Sequence, residues 1–325
     1  MSRQSSRRGG SSRRWFGFVA ALLGIPGLAV GACRAERILE EITSERAETT
    51  GKTRTRTTAA PTSVPPAPTT APTTTSRAPS QPADSSIHLA LGVPTDDTPD
   101  DELLMRKPQY ALSYNSTRNV ANWVSWELND GWFGSAPRLK GKFIEDRELP
   151  AGIYRVSHDD YTNSGYDRGH MVRSEERTRN SDDNRTTFFL TNILPQYHDL
   201  NAGPWLRLEE HCQKLATREG RELFVVAGGV FPPRKKVTDT IGKGVAVPKS
   251  FFKIVVVLQP GQRAADVQNS TPVIAVIMPN ETGIMDEGWE KYRVSVDEIE
   301  KRTGYEFLSA VPESVQRVIE ARTGE

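Results

Sequence analysis

Cysteine is scarce: Cys33 and Cys212 are the only two in 325 residues. That excludes a disulfide-rich scaffold and a structural zinc site built on cysteines. Aromatic residues are missing over a long stretch, with no Phe, Trp or Tyr from Val19 to Gln109. Within it, residues 43–86 are mostly Thr, Ser, Pro, Ala and Arg. Such a segment buries too little apolar surface to offset the entropy of ordering it. Beyond the N-terminal segment no apolar run reaches the ~18–20 residues that cross a bilayer, which excludes a multi-span protein. A dominant charge is lacking too, since the net charge is +1. The near-neutral sum hides an asymmetry. Residues 1–86 carry 12 Lys/Arg against 6 Asp/Glu, and residues 87–325 carry 30 against 35. The remainder of the chain is mildly acidic, so any contact with a polyanion must rest on a local basic patch.

The N-terminus reads as an address. Arg3, Arg7, Arg8, Arg13 and Arg14 precede an uncharged stretch over 15–32, a positive region followed by an apolar one. Ser12-Arg13-Arg14-Trp15-Phe16 resembles a twin-arginine export signal. Val30-Gly31-Ala32-Cys33 resembles a lipoprotein processing site, at which Cys33 becomes a lipid anchor. Ordinary cleavage after Ala32 and an uncleaved anchor are the alternatives. Each predicts export, to the periplasm, the cell envelope or the medium. Residues 34–86 then form a disordered Thr/Pro/Ser-rich linker. As a flexible coil its low-complexity part would span about 35–40 Å, and its prolines would extend it.

Residues 87–325 hold nearly all the aromatics and suffice for one sizeable core. Short β-branched and aromatic runs predict strands over 121–128, 186–194, 223–230, 251–258 and 273–278. The last two are almost uninterrupted apolar runs, as central strands are. Trp205, Leu208, Cys212 and Leu215 form one stripe on a helix over 204–218. On that stripe Cys212 reads as a buried, inert thiol. Ser295 and Glu298 form a capping box that opens a short helix ended by Gly304, and 312–322 predicts a last helix. Without a regular βαβ rhythm, the order implies α+β with a largely antiparallel sheet.

The chemistry concentrates around Gly165-Tyr166-Asp167-Arg168-Gly169-His170-Met171. An imidazole takes up a proton near neutral pH. A guanidinium supplies a charge that deprotonation does not remove, and a glycine lets backbone approach closely. Alone, the tetrapeptide also reads as a structural loop histidine. Some thirty residues on, Asn201 stands at the start of the expected helix. It reads either as an N-cap or as an oxygen ligand to a hard cation that keeps most of its waters. Glu209, two turns further in, reads either as a solvated helix face or as a holder of metal-bound water.

Together, Asp167-Arg168-Gly169-His170, Thr191-Asn192-Ile193-Leu194-Pro195-Gln196 and Asn201-Ala202-Gly203-Pro204-Trp205-Leu206-Arg207-Leu208-Glu209 resemble the DNA/RNA non-specific endonucleases. That family includes the Serratia type, the endonuclease G type and the cyanobacterial sugar-non-specific nucleases, to which this chain is most similar. The resemblance runs from about 110 to 298. It implies a ββα-metal (His-Me finger) nuclease over 87–325, with a central antiparallel sheet. It implies metal-dependent, sequence-non-specific hydrolysis of DNA and RNA to 5′-phosphate and 3′-hydroxyl ends. Residue by residue, His170 matches the general base and Asn201 the direct ligand of Mg²⁺ or Mn²⁺. Glu209 and Asp167 match groups on the metal's waters, Asn192 an asparagine that orders the site, and Arg138 and Arg168 arginines facing phosphate. One position departs: where family members carry an arginine four residues after the glutamate, this chain has Gln213. Loss of that cation weakens transition-state charge stabilisation unless another replaces it. Arg207 and Lys214 are nearby cations, though neither shares the i+4 position.

Weaker features complete the reading. Pro232-Pro233-Arg234-Lys235-Lys236, with Lys243 and Lys249, is either a basic rim or a charged solubilising loop. His158, His198 and His211 fall outside the matched positions, and Trp123 and Trp126 read as core. Two other functions fit parts of the pattern: a tethered nucleic-acid binder with weakened catalysis, and a phosphodiesterase acting on small molecules or lipids.

Overall fold

The computed structural model describes residues 86–232 and 239–323. The export segment, Cys33, the linker and most of the 232–236 run lie outside the described residues. The strands are β1 Leu103–Arg106, β2 Ala111–Asn115, β3 Val120–Leu128, β4 Asp167–His170, β5 Ile193–Gln196, β6 Glu222–Val230, β7 Thr240–Ile241, β8 Val245–Ala246, β9 Ser250–Leu258 and β10 Val273–Pro279. The helices are α1 Ser181–Thr186, α2 His198–Asn201, α3 Pro204–Arg218, α4 Val296–Thr303 and α5 Glu313–Ile319. Six strands form one sheet in the order β1-β2-β3-β6-β9-β10, every neighbour antiparallel. Strands β4–β5 and β7–β8 make separate antiparallel pairs. The α+β reading holds, and the strand expectations at 121–128, 223–230, 251–258 and 273–278 fall within a residue of β3, β6, β9 and β10.

The apolar runs are continuous because both faces of the sheet are covered. Side chains alternate across a strand. On β9, Phe251, Val255 and Val257 join one core cluster, and Phe252, Ile254, Val256 and Leu258 join the other. The first cluster packs β4–β5 and α3, through Trp205, Leu208 and Cys212, against the sheet. The second packs Val296 and Ile299 of α4 and Ile319 of α5. Trp123 and Trp126 are fully buried on opposite faces.

One element differs. No strand spans 186–194: α1 ends at Thr186, a 3-10 turn covers Leu190–Asn192, and β5 begins at Ile193. Asn180 caps α1 through a bond accepted from the Asp183 amide at 2.9 Å. The apolar run that follows is buried in a turn, where burial alone does not require strand pairing. The last helix is shorter than the expected 312–322, whereas α4 matches its signals: Ser295 Oγ accepts from the Glu298 amide (3.1 Å), and Gly304 ends it at φ 82°.

Behind the second core, carboxylate oxygens of Asp297, Glu300 and Glu320 lie within 4.8 Å of one another. Burial pushes Glu320 up to about 8, and the charges of Glu300, Glu306 and Asp297 add to it. Burial likewise raises Glu300 to about 7. A carboxyl raised in the native state makes folding bind protons. The stability it contributes is full below the ordinary carboxylate range and is lost as pH rises through 7 to 8. We expect the melting temperature to fall between pH 6 and pH 9, and Glu320→Gln to flatten that dependence. A scanning-calorimetry series showing equal slopes for both proteins would contradict this account.

Candidate active site

The β4–β5 pair fixes the site's frame. Asp167 faces Gln196, Arg168 faces Pro195, Gly169 faces Leu194 and His170 faces Ile193. Gly169 leaves room for the buried Gln196 side chain: a Cβ on it would lie 2.0 Å from Gln196 Oε1, so that side chain would have to move. Asn192 is fully buried and clamps the chain just after His170. Its Oδ1 accepts from the Val172 amide (3.0 Å), and its Nδ2 donates to the carbonyls of Val172 (3.0 Å) and Thr187 (2.9 Å).

Asn201 ends α2 and does not cap α3, whose N-cap position is Gly203. The N-cap reading is thereby corrected. A Cβ at position 203 would lie 2.1 Å from the Asp199 carbonyl, so only glycine allows the close join of α2 to α3. Asn201 Nδ2 donates to Asp167 Oδ2 at 3.0 Å, and His198 Nδ1 lies 2.8 Å from the same oxygen. The amide nitrogen being engaged, Asn201 offers its carbonyl oxygen Oδ1 as a ligand. His198 therefore belongs to the site's surroundings, which its sequence position did not suggest.

His170 packs its ring against Phe143 (5.3 Å) and edge-on to Phe188 (5.1 Å). Its Nε2 is buried without a partner among the described residues. Burial holds its pKa down at about 3, and the positive charge of Arg138 acts in the same direction. The ring is neutral at physiological pH, and its Nε2 has an unused hydrogen-bonding position. Arg138 stacks on the far side of this wall, 5.0 Å from the Phe188 ring. Its Nη1 donates to Ser174 Oγ and to Glu175 Oε1, the latter at 2.9 Å. Arg168 is held differently. Its Nη2 donates to the His158 carbonyl (2.9 Å) and Thr162 Oγ1 (3.3 Å), beside the Phe143 ring.

Glu209 is not on a solvated face, being 5 % exposed. Its Oε1 lies 3.6 Å from Lys253 Nζ and its Oε2 3.7 Å from Arg173 Nε. Burial raises it to about 7, against the pull of Lys253. Lys253 itself is 1 % exposed and lies 3.9 Å above the Trp205 ring. Arg173 Nη1 also donates to Gln213 Oε1 at 3.1 Å. Arg207 does not substitute for the missing helix arginine, because its Nη1 donates to the Met285 carbonyl at 2.7 Å. Lys214 is exposed.

Sequence reasoning passed over Arg173, Glu175 and Lys253. Lys253 carried a signal, as the lone charge inside an apolar strand. The structure thus joins Asp167 to Asn201, and gathers His170, Arg138, Glu175 and Arg173 near Phe188 and Glu209. No bond links His170 directly to Asn201 among the described residues. Asn201 Oδ1 with the Asp167 and Glu209 carboxylates is a set of hard oxygen donors. Among the described residues no group of three His, Cys, Asp or Glu ligands converges here. Elsewhere, Lys249 is paired with Asp239, and His211 stacks on Trp289 at 5.2 Å.

Residues 89–314 match the model of the DNA/RNA non-specific endonuclease family. A nuclease from Nostoc sp. is 45% identical over 242 residues, covering 73% of this chain and 86% of the relative. The mitochondrial nuclease EXOG of Xenopus laevis is 31% identical over 208 residues, and the match covers 61% of this chain and 56% of that protein. A crystal structure of an EndoG/EndoGI complex, titled for the mechanism of EndoG inhibition, superposes with a TM-score of 0.61 at 25% identity. That superposition covers 75% of this chain and 99% of the other. The chain belongs to the DNA/RNA non-specific endonucleases, a family of hydrolases.

Proposed function

We propose that this chain is a metal-dependent endonuclease that hydrolyses DNA and RNA without sequence preference, leaving 5′-phosphate and 3′-hydroxyl ends. The observation that carries the reading is the buried, unpartnered Nε2 of a neutral His170, set beside arginines and on the same strand as Asp167, the partner of Asn201. His170 accepts a proton from water as that water attacks phosphorus, a step worth about 10²–10⁴ in rate. Asn201 Oδ1 would hold Mg²⁺ or Mn²⁺, with Asp167 and Glu209 on its waters. When bound, the ion neutralises charge on the phosphate and assists the leaving 3′-oxygen. Arg138 meets the phosphate. Arg168 stiffens the 158–162 turn and the Phe143 wall, and adds positive charge nearby. Asn192 keeps the residues after His170 in register. None of these groups is placed to read a base edge by pattern, so phosphate contacts dominate recognition.

The N-terminal arginines and the Ala32-Cys33 junction support export of a domain spanning 87–325, carried on the 34–86 linker. We propose that Cys33 is lipidated and tethers the nuclease to the envelope. A binder with weakened catalysis and a small-molecule phosphodiesterase make opposite forecasts in the same assay.

Purified protein is expected to degrade plasmid and RNA with Mg²⁺ and to stop on adding EDTA. His170→Ala should lose about 10²-fold or more in kcat with its melting temperature kept; an active alanine variant ends the proposal. On defined oligonucleotides the cut sites should scatter, and a fixed recognition sequence would refute non-specific action. In cells, Cys33→Ser should move the protein from the membrane to the soluble fraction, and unchanged fractionation removes the anchor.

A further inference from the structure

Two residues that follow His170, Arg173 and Glu175, have no part in the proposed mechanism, yet they form an arrangement with Arg138. Glu175 presents one carboxylate oxygen to each of two guanidinium groups. Its Oε1 lies 2.9 Å from Arg138 Nη1 and its Oε2 3.2 Å from Arg173 Nε. Oε2 also accepts from Ser174 Oγ at 2.9 Å. The two arginines approach from different sides. Arg138 leans on Phe188, whose ring also packs against His170. Arg173 leans on α3, bonded to Gln213 and close to Glu209.

An anion with two acceptor oxygens between two guanidinium groups has the charge and donor pattern of a bound phosphodiester. The arrangement is open on one side, since Glu175 is 39 % exposed and Arg138 51 %. Ion pairs exposed to that degree are held weakly and exchange readily. Arg173 is more enclosed, at 16 %. Its bond to Gln213 is to a neutral amide, which aligns the guanidinium without cancelling its charge.

We propose that Arg138 and Arg173 are the two jaws of the phosphate seat, and that Glu175 fills this seat in the free protein until a substrate phosphate displaces it. This rests on the nuclease reading. Arg173 then supplies, from the loop after β4, the cation that position 213 of the helix lacks. Gln213 becomes its holder. Glu175 imposes the same competition on every substrate and raises the apparent Kd of each according to the fraction of free protein in which the seat is filled. The charge of Glu175 persists under these conditions. Although burial acts to raise its pKa, the Ser174 hydroxyl and both arginines hold it below the ordinary carboxylate value.

Two measurements on the full chain test the proposal. The first is binding of a fluorescent oligonucleotide in EDTA, where no cleavage interferes, over a range of salt. Glu175→Gln is expected to tighten binding about tenfold. Arg173→Gln should weaken it about tenfold and reduce the slope of log K against log salt by about 1. Arg173→Gln with Gln213→Arg should recover the slope by returning a cation to the helix. The second is steady-state cleavage with Mg²⁺, where Glu175→Gln should lower KM and Arg173→Gln should lower kcat/KM. Arg173→Lys, which keeps the charge but not the planar fork, should fall between wild type and Arg173→Gln in both measurements. Unchanged binding and KM in Glu175→Gln overturn the competing carboxylate. Wild-type affinity and salt slope in Arg173→Gln overturn the seat. If binding shifts as expected but wild type does not cleave nucleic acid with Mg²⁺, the seat stands and the nuclease reading falls.

Discussion

A lysine ammonium in the middle of an apolar strand is the constraint from which the site's architecture follows. Lys253 lies on β9 with neighbours on both sides in the sheet, where water does not reach it. A buried charge without a partner is strongly destabilising, whereas a paired one is tolerated. The partners here are the Trp205 ring and the Glu209 carboxylate, both on α3. Satisfying Lys253 therefore sets where α3 lies on the sheet and which way Glu209 points. Glu209 in turn lies against Arg173. A chain of alternating charges runs from the interior of the sheet to the surface beside His170.

The second constraint is close backbone approach. Gly169 sits beneath the Gln196 side chain, and Gly203 sits against the Asp199 carbonyl. These contacts join β4 to β5 and α2 to α3 at distances that a side chain forbids. The result places Asp167 beside Asn201 and leaves the His170 ring in a slot between Phe143 and Phe188. The slot lowers the basicity of the imidazole through desolvation.

The charge asymmetry takes its meaning from this arrangement. With 35 acidic against 30 basic residues over 87–325, the folded part does not attract a polyanion by net charge. Local positive charge around His170 comes from Arg138 and Arg173, the groups that Glu175 engages.

The strands β3, β6, β9 and β10 and helix α3 were legible in the sequence because their signals are local. An apolar run or a helical stripe needs only its own neighbours to be read. The run at 186–194 misled for the same reason: its buried apolar residues look like a strand, but their pairing stops at a single bridge, Phe189 to Ile144, before the chain turns. The motif around His170 and the fold class it implies were likewise readable as a pattern of residues along the chain. What only the tertiary structure decided is which side chains meet. The Asn201 side chain meets Asp167, Glu209 is interior rather than on a solvated face, and Arg173 rests against Gln213, 40 residues away. Such pairings depend on how sheet, hairpin and helix pack, and packing is set by the shape and burial of distant segments together, which no local spacing records.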